Sequence, residues 1–190
     1  MKGNHARARV LTLAAGLLLT GAVVAHAQSM RQGLGKAEEA ARGTVAGSTR
    51  DFLTGAIQNQ LAESSLSKVA AQKATTPAVK AFADQSQSQS QGMLGQLRSL
   101  ADKKGVQAPT QPSGQDETAI QQLSGESGPA FERGYIREMI KRKAADVASL
   151  RRQSTASDSE VKSLAQKALP VEQGLLGKAQ QLDKQLGGGG

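Results

Sequence analysis

The sequence predicts an all-α fold: a four-helix bundle made of two antiparallel hairpins joined by one long crossover. Three observations lead there. Four long stretches repeat apolar residues at the helical period of about 3.6. Val, Ile, Tyr and Phe are few and do not alternate as a strand requires. The links are short within each pair of stretches and long between the pairs.

In chain order, Lys2, Arg7 and Arg9 precede an apolar run over 10–24, and Ala25-His26-Ala27 follows it. Positive start, apolar middle and small-x-small end are the pattern of a bacterial export signal cleaved after Ala27. The run is 15 residues long, short of the roughly 20 that span a bilayer; an uncleaved anchor is the alternative. No Cys follows, which excludes a lipoprotein anchor. The expected location is the periplasm or the outside of the cell. Residues 28–50 are rich in Gly, Ala and charge with few large apolar groups, so a flexible leader is expected, with a weak helical turn or two near 36–42.

The first helix is expected over 51–73, capped near Asp51 and stopped by Thr75-Thr76-Pro77. The second opens on Pro77 and runs to about 104, where Gly105 can close it. The connection over 105–128 is far longer than the ~2–8 residues that usually join bundle neighbours. Pro109, Pro112 and Gly114 extend its first half, and 116–123 can form a short helix. A link that long can run the length of a bundle, which gives the ferritin-like arrangement; plain up-and-down order is the alternative. The third helix is expected over 128–153. The fourth follows the capping residues Ser157-Asp158-Ser159-Glu160 and runs to about 186, with Pro170 inside it as a source of a kink. The four glycines at 187–190 are expected to be a disordered tail.

Composition removes several kinds of chemistry. The chain has no Cys and two His, His5 and His26, both in the export segment. The mature chain would then have no Cys/His dyad, no Ser-His-Asp triad, no Cys/His zinc site and no disulfide. Losing the export segment lowers the net charge from +8 to about +5, a mildly basic protein. Few aromatics accompany the basic residues, so nucleic acid is not an expected partner.

On helical wheels, each arc holds a residue that does not belong there. Phe131, Tyr135, Ile136, Met139, Ile140, Val147 and Leu150 share an arc with Lys143 near its middle. The second helix has Ser86 and Ser90 among Val79, Phe82, Met93, Leu94, Leu97 and Leu100. The fourth has Glu172 among Val161, Leu164, Ala168, Leu175, Leu176, Ala179 and Leu182. The first has Glu63 at the edge of Phe52, Leu53, Ala56 and Ile57. All of these odd residues lie near mid-helix, so they should meet at one level whichever way each helix points. The sequence therefore predicts a polar waist of Glu63, Ser90, Lys143 and Glu172, the level where bundles usually build metal and cofactor sites. Two readings of Lys143 stay open: its ammonium snorkels to solvent, or it stays inside and pairs with Glu63 or Glu172. The Gln/Ser run over 85–91 is expected to be a polar middle turn of the second helix rather than an aggregation tract. Arg133, Arg137 and Lys141, four apart, are expected as an exposed basic stripe opposite the apolar arc.

Several stretches resemble the exported bacterial family known as domain of unknown function 4142, whose members are labelled outer-membrane or periplasmic proteins with a ferritin-like fold. They are Leu61-Ala62-Glu63, Val79-Lys80-Ala81-Phe82-Ala83, Leu97-Arg98-Ser99-Leu100-Ala101 with Gly105-Val106, Phe131-Glu132-Arg133-Gly134-Tyr135, and Leu169-Pro170. The resemblance implies His midway along the second and third helices and after the Leu-Pro. Those positions hold Ser90, Lys143 and Leu175 here. It also implies a stress-linked role.

The reading that results is an exported, non-catalytic binding or structural module that has lost metal-ligating capacity. No cofactor is expected, the partner is an unidentified envelope component, and the oligomeric state is left open. One alternative is a carboxylate-only metal binder. Another is a module making weak contact with anionic membrane surfaces through Arg133, Arg137 and Lys141.

Overall fold

The computed structural model describes residues 20–187 of the 190-residue chain. It is all-helical over those residues: α1 Thr20–Lys73, α2 Pro77–Lys103, α3 Gly114–Gly125, α4 Gly128–Gln153 and α5 Ser159–Gln185. Residues 1–19, most of the expected export signal, and 188–190, in the tail expected to be disordered, lie outside the described residues. Residues up to 43 and residues 44–190 are separate units, and the bundle is built from the second.

The helix ends follow local chemistry. α2 starts with Pro77 in its first turn behind Thr76 in an extended conformation. It closes on Gly105, at φ +64, with Gly105 N–H donating to Asp102 O and Val106 N–H to Ala101 O at 2.9 Å. That pair of bonds is a Schellman motif, and buried Val106 supplies its apolar contact. Asp158 caps α5, accepting from the amides of Glu160 and Val161. Ser113 caps α3, the short helix expected in the crossover.

Helix one departs from expectation. Instead of starting at Asp51 behind a flexible leader, α1 continues back to Thr20. The Ala, Glu, Lys and Arg residues of the leader are strong helix formers. Once the bundle has nucleated α1, each further residue adds a backbone hydrogen bond without a new nucleation step.

Side-chain pairs fix the topology. Asn59–Asp146, Glu63–Lys143 and Ser67–Tyr135 run in opposite numerical order, so α1 and α4 are antiparallel. Lys143–Glu172 and Arg137–Asp183 make α4 and α5 antiparallel. Lys104–Asp158 and Lys178–Gln85 do the same for α2 and α5. With α1 and α2 joined by the short link 74–76, α2 and α4 are parallel. The segment between them must therefore travel the length of the bundle. The order is up, down, down, up: two hairpins and a crossover, not plain up-and-down.

α3 lies along that path. Asp116 at its start pairs with Arg142 at 2.7 Å, while around its other end Lys73 Nζ donates to the carbonyls of Ser124 and Glu126. At the same end, Glu132 anchors the α1–α2 turn. One of its carboxylate oxygens accepts from the amides of Thr75 (2.6 Å) and Thr76 (2.8 Å), and the other from the Thr76 hydroxyl. These bonds hold the Glu132 carboxyl below its ordinary pKa against the opposing effect of burial.

Candidate functional site

The core is divided in two. One apolar half is built around Phe52, Leu53, Ile57, Met93, Leu97, Leu150 and Val161. The other is built around Leu66, Phe82, Phe131, Tyr135, Ile136, Met139 and Leu175. On each helix the residue between the halves is polar: Glu63 on α1, Ser90 on α2, Lys143 on α4 and Glu172 on α5. All four are 0% exposed.

These four side chains meet. Lys143 Nζ lies 2.6 Å from Glu63 Oε2 and 2.8 Å from Glu172 Oε2. Ser90 donates its hydroxyl to Glu63 Oε2 at 3.2 Å. The contact with Glu63 is a hydrogen-bonded ion pair. The contact with Glu172 is an ion pair through Oε2, which leaves Glu172 Oε1 without a partner. Of the two readings of Lys143, the structure has the buried and paired one. Leu175 does not join the waist; it is apolar and packs in the second half of the core.

Two residues join the site that the wheels did not select. Asp146, one turn after Lys143 on α4, brings Oδ2 to 4.0 Å from Nζ. It also accepts from Asn59 Nδ2 at 2.7 Å and Gln60 Nε2 at 2.9 Å. Its i+3 spacing from Lys143 was the available signal. Arg142, beside Lys143, is 6% exposed and joins three elements: it pairs with Glu138 and Asp116 and donates to Asn59 Oδ1. Its burial follows from α3, which covers that side of α4.

The electrostatics follow from burial and proximity. Burial opposes the Lys143 ammonium, but the charges of Glu63, Glu172 and Asp146 outweigh it and raise its pKa above the ordinary lysine value. Burial raises Glu172, partly offset by Lys143. Burial raises Asp146 well above the ordinary aspartate range, and the Glu63 charge adds to the effect. The cluster thus sets three carboxylates around one ammonium. Nearby, the Tyr135 hydroxyl, paired with Ser67 Oγ at 3.1 Å, is raised by burial.

The basic stripe is less free than expected. Arg137 and Lys141 are exposed, but Asp183 faces one at 3.5 Å and Glu138 the other at 3.7 Å. Arg133 is half-buried rather than exposed; α3 reaches α4 at the next residue, where Leu123 lies so close that a Cβ on Gly134 would be 2.7 Å from it.

A family model described as a domain of unknown function, DUF4142, matches residues 34–182. The chain belongs to the DUF4142 family. The buried cluster lies wholly inside the family domain, as do Glu132 and both core halves. Among solved structures the domain is similar to a DUF305 fragment from Deinococcus radiodurans, with a TM-score of 0.64 and 18% identity over 73% of this chain and 95% of that one. That likeness is one of fold alone. No curated protein matches the sequence. Among the described residues, no group of three or more His, Cys, Asp or Glu is arranged to hold a metal ion. No described helix is long and apolar enough to cross a membrane.

Proposed function

We propose that this DUF4142 protein is an exported, non-catalytic binding or structural module of the bacterial envelope, stabilised from within by a charge cluster in place of a metal ion. The observation that carries this reading is the position of Lys143 Nζ, within 2.8 Å of both Glu63 and Glu172 at mid-height of the bundle. An ammonium there supplies the positive charge that two buried carboxylates need. It would also repel a metal cation from the same oxygens, which sets this reading against a carboxylate-only metal site. The export pattern at the N-terminus supports an envelope location, and a mature chain without His or Cys supports a role outside nucleophilic or imidazole chemistry. The acidic partners of Arg137 and Lys141 argue against the basic stripe as the main contact with anionic surfaces.

Elemental analysis of the mature protein purified from the periplasmic fraction tests the proposal. The expected result is metal far below one ion per chain, unchanged after incubation with iron, manganese, zinc or magnesium. Stoichiometric metal would overturn it, as would recovery of the protein only from the cytoplasm with residues 1–27 still attached.

A further inference from the structure

A cavity of about 330 Å³ enters between α1 and α4 and ends against the charge cluster: Asp146, partly buried, lines it, and Glu172, fully buried, forms its inner wall. Gly55 and Ala145, both exposed, border its mouth, and their small size leaves the gap between the two helices. The walls are apolar, formed chiefly by Phe52, Met93, Leu97 and Leu164. The inner end is different in kind. Oε1 of Glu172 and Oε1 of Gln60 are buried there without a partner, on residues 0% and 3% exposed.

Every unpartnered atom at that end is an acceptor. Leaving buried acceptors unpaired costs free energy, and a bound donor would recover it. The charges point the same way: Glu63, Asp146 and Glu172 surround the single ammonium of Lys143, so the cluster accommodates one more positive charge. A divalent metal is a poor occupant, because it needs six or more oxygen ligands and Lys143 already holds two of the carboxylates. The volume is at the lower end of small-molecule pockets, enough for a group of several heavy atoms.

We propose that this cavity binds a small primary alkylammonium ion, its –NH3+ donating to Glu172 Oε1 and Gln60 Oε1 and its alkyl chain lying on the apolar wall. Arg152, exposed at the mouth, opposes a second positive charge at the outer end. The site therefore prefers a monoamine to an α,ω-diamine of equal length. The inference rests on the reading that Lys143 carries the charge of the waist, and it names a ligand class for the module.

Isothermal titration of the mature protein with n-pentylamine hydrochloride tests it, with n-pentanol and 1,5-diaminopentane as comparison ligands. The expected result is saturable one-to-one binding of n-pentylamine. The alcohol, which lacks the charge, should bind about tenfold weaker or worse, and the diamine should also bind more weakly. Glu172→Gln should weaken n-pentylamine by a similar factor. If that variant does not fold, Ala56→Leu decides: it fills the wall without touching a charged group and should abolish binding. No binding of n-pentylamine, equal binding of n-pentanol, or undiminished binding by a folded variant overturns the proposal. Elemental analysis of the same sample separates the two ideas. Stoichiometric metal defeats the internal-charge reading, whereas failure to bind amine in metal-free protein defeats this site alone.

Discussion

Replacing Lys143 with Met removes the charge and keeps the stem. Wild-type Nζ contacts Glu63 at 2.6 Å and Glu172 at 2.8 Å, and neither acid reaches solvent. After the change Glu63 retains the Ser90 hydroxyl, but Glu172 retains no hydrogen bond. Breaking a buried pair from one side costs about 3–5 kcal/mol, because the remaining charge is left uncompensated. At about 3 °C per kcal/mol for a domain of this size, the melting temperature should fall by about 9–15 °C at neutral pH. Neutralising the acids as well, in Lys143→Met/Glu63→Gln/Glu172→Gln, removes the stranded charges and should regain at least half of the loss. Thermal unfolding followed by far-UV circular dichroism reads both variants. A single variant melting within about 2 °C of wild type would rule out a buried, charge-bearing pair, and so would a triple variant no more stable than the single one.

Further outcomes follow from the same geometry. Folding raises the pKa of Glu172 and Asp146, so the folded chain holds those protons longer than the unfolded chain, and stability should increase as pH falls from 7 toward about 5. Folding lowers Asp116, Glu132 and Asp158, whose contribution is lost as pH falls through and below the ordinary carboxylate range near 4. Melting temperature against pH should therefore peak in mild acid, and Asp146→Asn should flatten the approach from neutral pH. Glu132→Ala removes the acceptor shared by the Thr75 and Thr76 amides and should cost about 2–3 kcal/mol; hydrogen exchange at those two amides should accelerate. Gly174 lies exposed within α5 with open space where a Cβ would go, so Gly174→Ala should stabilise by about 0.5–1 kcal/mol in chemical denaturation.

Much of the fold was legible because its signals are local. Pro77, Gly105, the Gly128-Pro129 start and Asp158 mark helix ends through backbone chemistry that needs no partner. The waist was legible for a geometric reason: a mid-helix residue meets other mid-helix residues whatever the direction of the chain. What was not legible depends on packing between elements. Asp146 and Arg142 look like surface residues until α1 supplies Asn59 and Gln60, and α3 supplies Asp116. Glu132 could be seen as part of a family-like stretch, but its work at the α1–α2 turn requires the crossover that brings the start of α4 to that end. The backward extension of α1 was missed because apolar periodicity reports burial, whereas helix propensity alone is enough to prolong a helix already nucleated.

The bundle turns on one proton-bearing nitrogen, Lys143 Nζ. Heteronuclear NMR of the uniformly 15N-labelled protein can observe lysine Nζ ammonium groups directly. The expected spectrum has a single slowly exchanging –NH3+ signal at neutral pH that disappears in Lys143→Met and shows contacts to the side chains of Glu63 and Glu172. A spectrum in which every lysine ammonium exchanges at the rate of a solvated side chain would contradict it.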